Sequence, residues 1–292
     1  MPRLTRFKIA QKDIEKHLDN LSQKIFLKKD LGKILNENWQ TWRLTQSVSK
    51  FLGDLIKESK LQEISLHSPN YDKTLLRYAW GENPSIYSIA LSIKPNSYFT
   101  HYTAVYLHNL TRQIPKIIYI NTEQSPKPIQ DKTLEQHRID LAFNGKDRVS
   151  QYYFNFENWK IILISGKQTK NLGVEGIQMS TAEKVPVTNI ERTLIDISVR
   201  PIYAGGVYEV QNAFKEARGK FSVNKLVAML KQLDYTYPYH QIIGFYMERA
   251  GYPDYQLRLM RKIEMKYDFY LDYGMKEKSY SEEWKLYFPK NF

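Results

Sequence analysis

The apolar positions of the first sixty residues recur at helical spacing. They form three stripes, which predict three helices over residues 10–22, 26–35 and 44–56. The polar run 36–39 separates the second stripe from the third. Each stripe leaves a polar face uncovered, so we expect three amphipathic helices that bury their apolar sides together.

Two segments with strand character follow these helices. Residues 61–66 and 74–80 read as strands, and the turn-forming stretch 68–72 lies between them. Three helices followed by a hairpin is the order of a winged helix-turn-helix, whose third helix enters the major groove of DNA. The sequence therefore predicts a DNA-binding domain over residues 1–84, with its boundary near Pro84, where the pattern changes.

The third helix and the hairpin tip carry side chains that suit DNA. An amide such as Gln46 can pair with adenine, and a cation such as Lys50 suits phosphate. The hairpin tip adds one aromatic and two basic groups for the backbone or the minor groove. The predicted contacts are Arg43, Thr45, Gln46, Ser47, Lys50, Tyr71, Lys73 and Arg77. A small helical protein-interaction domain would share this order of elements, and that alternative stays open.

Residues 85–292 mix both kinds of pattern. β-branched or apolar runs predict strands over residues 116–120, 138–143 and 160–165, and helical patterns dominate between residues 188 and 250. Aromatic, strand-like runs close the chain. We therefore expect an α+β protein, with an N-terminal winged helix-turn-helix followed by a larger mixed α/β domain.

One segment of the larger domain has the marks of a helix start. Thr188 and Glu191 have the spacing of a capping box, which predicts that Thr188 caps a helix. Arg192 and Asp196 then stand four residues apart with opposite charge, as in an ion pair on one helix face. We interpret these charged residues as structural in preference to catalytic. The pair Gly205-Gly206 reads as a turn after this helix.

Composition narrows the class of protein. The 292 residues are 42% hydrophobic, include no cysteine and carry a net charge of +12. Disulfides and cysteine nucleophiles are therefore excluded, and no apolar run approaches the roughly 20 residues of a membrane span. We expect a cytoplasmic protein without a membrane partner. Residues 1–60 hold 13 Lys and Arg against 7 Asp and Glu, a net of +6, which favours a polyanionic partner.

The run Glu191-Arg192-Thr193-Leu194-Ile195-Asp196, followed by Arg200-Pro201 and Tyr203-Ala204-Gly205-Gly206-Val207, resembles the AbiEi family of antitoxins from type IV toxin–antitoxin systems. The segment from Tyr98 to Leu110 also looks like a helix of that family. The resemblance implies a repressor that binds operator DNA, with inverted repeats and a homodimer expected there. It also implies that residues 85–292 neutralise a nucleotidyltransferase-like toxin without forming a stable complex.

No enzyme motif accompanies this resemblance. The chain has no Asp-x-Asp pair, no Walker loop and no nucleophile elbow, and His101 with His108 gives too few ligands for a metal. We therefore expect no catalytic residues, no metal and no cofactor. Two alternatives stay open. One is an enzyme that acts on nucleic acid, with carboxylates assembled from distant segments. The other is a regulator whose second domain senses a ligand, for which an uncharged apolar pocket is the expected sign.

Overall fold

The computed structural model describes residues 5–126, 133–179 and 184–292, and it shows a mixed α/β protein. The chain divides into two units. The first unit comprises Met1–Asn96, Tyr152–Ile161 and Gln178–Val185, and the second comprises Ser97–Gln151, Ile162–Ile177 and Pro186–Phe292. Among the described residues, no helix is both long and apolar enough to cross a membrane.

Four α-helices and three strands lie in residues 5–96. In chain order they are α1 (Arg6–Asn20), β1 (Ile25–Phe26), α2 (Lys28–Trp42), α3 (Val48–Glu58), β2 (Leu61–Ser68), β3 (Lys73–Trp80) and α4 (Ile86–Leu91). The predicted order of three helices and a hairpin is present, with a short strand between the first two helices.

The rest of the described chain adds seven helices and nine strands. In chain order they are β4 (Tyr98–Phe99), α5 (His101–Leu107), β5 (Ile117–Glu123), α6 (Gln136–Asn144), β6 (Tyr153–Phe156), β7 (Trp159–Gly166), β8 (Val174–Gln178), β9 (Lys184–Thr188), α7 (Ile190–Val199), α8 (Val207–Ala217), α9 (Val223–Leu233), α10 (Tyr239–Arg249), α11 (Asp254–Arg261), β10 (Phe269–Tyr270), β11 (Lys278–Ser281) and β12 (Leu286–Pro289).

The sheet of the first unit is antiparallel, with strand order β1-β3-β2-β6. The register of the hairpin pairs Leu61 with Trp80 and Ser68 with Lys73. Leu61, Ile64 and Leu66 are buried along β2, and the positions between them are largely exposed. This alternation is typical of a sheet that covers an apolar core with one face and meets solvent with the other.

Two features of the first unit differ from the sequence prediction. Helix α2 continues to Trp42 instead of ending at residue 35, because Leu35 and Trp42 both lie on its buried face and Trp42 stacks on Phe51. Helix α3 begins only at Val48, since Ser47 caps it by accepting a hydrogen bond from the Lys50 amide at 3.3 Å. The predicted third helix is therefore shorter at its start.

The second unit has a mixed sheet whose strands follow the order β7-β5-β4-β9-β8. Strand β4 pairs antiparallel with β5 through Tyr98 and Asn121, and parallel with β9 through Phe99 and Val187. A second sheet, of order β10-β12-β11, closes the chain. Most of the apolar core of this unit lies among the helices α7 to α10 and this terminal sheet.

Two local predictions for the second unit are wrong. Residues 138–143 belong to helix α6 and not to a strand, because Ile139 and Phe143 are buried at a spacing of four while Leu141 between them is 73% exposed. The N-cap of α7 is Asn189, whose side chain accepts from the Arg192 amide at 2.9 Å. Thr188 instead shares a hydrogen bond of 2.8 Å with the Thr193 hydroxyl.

Candidate nucleic-acid interface and the polar cleft of the second unit

The predicted DNA contacts fall into three groups by exposure. Six of them are exposed, Gln46 is half-buried and Arg77 is buried. The exposed six are Arg43, Thr45, Ser47, Lys50, Tyr71 and Lys73. Five of the eight predicted residues lie in or beside the α2–α3 connection, and the other three lie in the β2–β3 hairpin.

The connection between α2 and α3 is tight and fixed by its backbone. Arg43 ends α2 in a left-handed conformation, with φ of 53°, and its amide donates to the carbonyls of the last helical turn. Leu44 is buried next to it, which anchors the turn in the core. Thr45 and Ser47 are left on the outside. The side chains of this turn are therefore presented at the surface by a fixed backbone.

The first turn of α3 is joined to α2 by a polar contact that the sequence did not reveal. The Lys28 ammonium donates to the Ser49 hydroxyl at 3.0 Å, and both side chains are exposed. Lys50 follows directly and is exposed as well. We use the name α3 face for six exposed residues: Lys28 at the start of α2, Arg43, Thr45 and Ser47 between α2 and α3, and Ser49 and Lys50 in the first turn of α3. Its charged side chains are all cationic.

Two predicted contacts are less available than the rest. The Arg77 side chain is only 6% exposed, and its guanidinium donates to the Ser92 carbonyl at 2.8 and 3.0 Å. Burial lowers the pKa of Arg77 from its usual value. We therefore leave Arg77 out of the α3 face. Gln46 has a buried Nε2 without a hydrogen-bond partner among the described residues, so a base contact would require its side chain to turn outward.

The hairpin tip presents two of its predicted residues. A short 3-10 turn over Pro69–Tyr71 and a left-handed Asp72, with φ of 44°, lead into β3. Tyr71 is 56% exposed and packs edge-on against Tyr152 at 5.2 Å between ring centroids. Lys73 is exposed beside it. The tip therefore carries one aromatic and one cationic group that meet solvent.

A polar cleft of about 1030 Å³ lies within the second unit. Its lining comes from six separate segments of the chain, which no spacing in the sequence connects. The polar and charged residues that we call the Arg192 cleft are Thr100, His101, Asn121, Gln124, Ser125, Arg148, Ser150, Ser165, Lys167, Gln168, Arg192, Asp196, Arg200, Tyr203, Asp234, Tyr235 and Thr236.

The centre of this cleft is an ion pair on helix α7. The Arg192 Nε donates to Asp196 Oδ1 at 2.7 Å, and the two side chains are 5% and 8% exposed. The predicted pairing of these residues is therefore present. Arg192 Nη1 also donates to the Leu172 carbonyl at 2.8 Å and to the Thr169 hydroxyl at 3.3 Å. Glu191 faces a different neighbour, because it accepts from the amide of Ser222, the N-cap residue of α9.

His101 is joined to this ion pair through Thr100. The Thr100 hydroxyl donates to Asp196 Oδ2 at 3.0 Å and lies 3.0 Å from His101 Nδ1. Because the Thr100 proton goes to the carboxylate, its oxygen is left to accept from Nδ1–H, which makes Nε2 the unprotonated nitrogen of the ring. Burial lowers the pKa of His101 to about 4, so the ring is neutral at pH 7.

Two features of His101 are unfavourable for the free energy of folding. Its backbone is left-handed, with φ of 50°, which is uncommon for a residue other than glycine. Its Nε2 is buried without a hydrogen-bond partner among the described residues. A buried unsatisfied acceptor costs about 1–3 kcal/mol, and such strained or unsatisfied groups concentrate at functional sites. His101 is thus the residue of the cleft that packing alone explains least.

Possible metal-ligating side chains are dispersed in the described part of the chain. No group of three His, Cys, Asp or Glu side chains there is placed to hold a metal ion. His108, the second histidine of the predicted pair, is directed elsewhere, and its Nε2 lies 2.6 Å from the Thr188 carbonyl oxygen. The cleft is also unlike the apolar pocket expected for a ligand sensor, because cations and hydroxyls line it.

Comparison with known proteins supports the fold only. No family model matches the chain, and no curated protein matches it. A crystal structure of the RV2827C protein from Mycobacterium tuberculosis is similar, with a TM-score of 0.60 and 15% sequence identity. The similarity covers 99% of this chain and 93% of that one. A protein of the same overall fold therefore exists in an experimental structure, and at this identity the likeness carries no functional residue across.

Proposed function

We propose that the first unit is a winged helix-turn-helix that binds DNA, with α3 as the helix that enters the major groove and the β2–β3 hairpin as the wing. The observation that carries the proposal is the α3 face, a set of exposed hydroxyl and cationic side chains in the α2–α3 connection and at the starts of the two helices, together with the exposed Tyr71 and Lys73 of the hairpin tip. This is the arrangement with which such modules meet bases and phosphates.

Charge favours this partner over a protein. Residues 1–60 have a net charge of +6, and the three cations of the α3 face, Lys28, Arg43 and Lys50, are all exposed. None of these three is held in an ion pair among the described residues. Cations without acidic partners release counterions when they meet phosphates, which is the main source of non-specific DNA affinity.

We further propose that the whole chain acts as an antitoxin and autorepressor of the AbiEi type. Support comes from the residues that carry the resemblance, which lie on α7 and in the turn that follows it. Arg192 and Asp196 of that motif form a buried ion pair. On this proposal the motif maintains the fold of the second unit, and the neutralising surface lies on other residues of that unit.

The first test measures binding of the full-length protein to duplex DNA. We expect tighter binding to the region upstream of its own gene than to a random duplex, and a steep loss of affinity between about 50 and 200 mM salt. Lys50→Gln and Lys73→Gln should each weaken binding to both duplexes and lower the salt slope by about one. Equal affinity for both duplexes at every salt concentration would contradict operator recognition.

A matched control lies on α1. Lys16 is an exposed cation on a helix that the proposal keeps outside the groove, so Lys16→Gln should leave affinity and salt slope unchanged. The same loss for Lys16→Gln as for Lys50→Gln would mean that general positive charge, and not the α3 face, binds DNA.

Gln46→Ala tests base recognition. If Gln46 contacts an adenine, its loss should cost about 1–3 kcal/mol of binding free energy on the operator and leave binding to the random duplex unchanged.

The antitoxin activity requires a separate readout. Co-expression with the cognate nucleotidyltransferase-like toxin should restore growth, both for the full chain and for the double variant Lys50→Gln, Lys73→Gln. The double variant should no longer repress the operon promoter. A folded double variant that fails to restore growth would show that neutralisation needs the DNA-binding surface.

A further inference from the structure

Two features of the Arg192 cleft are not compensated within the protein. The lone pair of His101 Nε2 is buried, and no described residue donates a hydrogen bond to it. The cationic side chains of the lining also outnumber its carboxylates. The lining holds Arg148, Lys167, Arg192 and Arg200 against Asp196 and Asp234, a net of +2 if all six are charged.

The contacts of the four cations show which of them are available to a ligand. Arg192 is neutralised by Asp196 at 2.7 Å, and Lys167 donates to the carbonyls of Leu233 and Asp234 at 2.6 and 2.7 Å. Arg200 makes one long hydrogen bond, of 3.3 Å, from its Nη1 to the Arg148 carbonyl. The Arg148 side chain is exposed. Arg200 and Arg148 are therefore the cations whose guanidinium groups have the most donors to spare.

Arg200 also stands close to buried groups of the cleft. Burial raises the pKa of Tyr235 and lowers the pKa of His101. The positive charge of Arg200 lowers both pKa values. Burial raises the pKa of Asp147, and the charge of Arg200 opposes that rise. A guanidinium in such a partly dry setting binds an anion more strongly than one in open water, because the effective dielectric is lower.

We propose that the Arg192 cleft binds a small phosphomonoester that carries free hydroxyl groups, of the sugar phosphate or mononucleotide class. The phosphate lies against Arg200 and Arg148, since guanidinium groups match phosphate oxygens in pairs. A hydroxyl of the ligand donates to His101 Nε2, which is buried in the free protein and has to be uncovered on binding. The buried chain Asp196–Thr100–His101 holds that nitrogen unprotonated, so it can only accept.

The size and walls of the cleft fit this class. A volume of about 1030 Å³ lies at the upper end of the range for small-molecule sites, far more than an inorganic ion needs. Two tyrosines shape the wall. Tyr203 packs edge-on against His101 at 5.3 Å between centroids and accepts a hydrogen bond from the Ser150 amide at 2.7 Å. Tyr235 adds a second aromatic face.

The test uses the full-length protein and four probes: ribose 5-phosphate, adenosine 5′-monophosphate, ribose and inorganic phosphate. Calorimetry should show binding of at least one of the two phosphomonoesters, at least tenfold tighter than either ribose or phosphate alone. A nitrogen NMR signal from His101 Nε2 should shift on binding. No binding of either phosphomonoester at millimolar concentration would overturn the proposal. Inorganic phosphate binding as tightly as both esters would overturn it too, because His101 would then contribute nothing.

Three variants locate the site. Arg200→Gln should weaken binding of the phosphomonoester at least tenfold. His101→Asn keeps a residue type that tolerates a left-handed backbone and should reduce binding of the ester to that of phosphate. Arg218→Gln is the matched control, since Arg218 is an exposed cation of the same unit that also makes one long bond to a carbonyl, Gly251 O at 3.4 Å. Folded Arg200→Gln protein with unchanged affinity would overturn the proposal.

Discussion

The two units of this protein place their polar groups in opposite ways. Of the 17 buried polar or charged residues among those described, only Ser68 and Arg77 belong to the first unit. The other 15 belong to the second unit, and many of them surround the Arg192 cleft or helix α7. The first unit has an apolar core and a polar surface, whereas the second has polar networks built into its interior.

Because of this difference, substitutions at the proposed binding surface of the first unit should change binding without changing stability. Substitutions at the polar site of the second unit should change both. Exposed side chains of the α3 face can be changed with little effect on folding, because surface substitutions are usually worth less than about 0.5 kcal/mol. A residue of a buried ion pair in the second unit cannot be changed without a large loss of stability, because removing one partner leaves the charge of the other without compensation. Substitutions in the two units should therefore give different combinations of stability and binding.

The largest effect is expected for Asp196→Ala. The substitution leaves Arg192 buried without its partner and removes the acceptor for the Thr100 hydroxyl, so the free energy of unfolding should fall by about 3–5 kcal/mol. Chemical denaturation measures it. The control is Asp254→Ala. Its carboxylate is 61% exposed and pairs with Arg258 and Arg261, which are 66% and 30% exposed, so the substitution should cost less than about 1 kcal/mol. Equal losses would remove the contrast between buried and exposed pairs.

Gly244→Ala should be nearly as damaging, for a steric reason. A Cβ at Gly244, on α10, would lie 2.0 Å from the ring of Trp284, which is fully buried. Trp284 is also fixed by its indole hydrogen bond to Glu248 at 2.9 Å, so it cannot move away freely. Overpacking typically costs about 1–3 kcal/mol and occasionally more, and a contact this short places Gly244→Ala at the upper end. Unfolding measurements that show less than about 1 kcal/mol would mean that the terminal sheet yields easily.

Acidification should distinguish His101 from ordinary surface residues. Its pKa is lowered by burial to about 4, so protons bind the unfolded chain first as the pH falls below about 6.5. Stability from the neutral ring is complete at neutral pH and is lost as the pH falls toward 4. His240 acts in the same direction, while Asp272, whose burial raises its pKa to about 6, acts in the opposite one.

Because these groups contribute in opposite directions, the effect of His101 is measured best as the difference between wild type and a variant that lacks it. Between pH 7 and pH 5, wild type should lose about 2 kcal/mol more stability than His101→Asn. The reason is that His101 binds a proton in the unfolded chain but not in the folded protein, and asparagine binds none in either state. Denaturant titrations at the two pH values provide the comparison. The same loss in both proteins would show that His101 is free to protonate in the folded state.

The sequence revealed the amphipathic helices of the first unit because their apolar stripes are regular. It misjudged α2, because none of the residues 36–39 is buried although the helix continues through them, and Asn38 donates to the Ile34 carbonyl at 2.9 Å. It also misjudged α6, because Ile139, Leu141 and Phe143 alternate as a strand would. Only the tertiary contacts decide that Leu141 is exposed.

The Arg192 cleft was beyond the reach of sequence reasoning for a different reason. The Arg192–Asp196 pair follows from a spacing of four on one helix, and the sequence predicted it. Thr100 and His101 reach that pair from a segment about ninety residues earlier, and no local pattern joins segments so far apart. A positive φ at a histidine is also a tertiary outcome, since propensity alone does not favour it.

The smallest effect is expected in the first unit, for one substitution made at two glycines. Gly53 lies inside α3, is exposed, and has nothing within 4 Å of where a Cβ would stand. Gly53→Ala should therefore stabilise the protein by about 0.5–1 kcal/mol, because alanine loses less backbone freedom in a helix. Gly32 lies inside α2, where a Cβ would be 3.3 Å from a Val48 methyl group of α3. The same helical gain should there be cancelled by crowding, so Gly32→Ala should be neutral or destabilising. Thermal unfolding of both variants tests whether α2 and α3 pack this closely, and equal stabilisation by both would show that they do not.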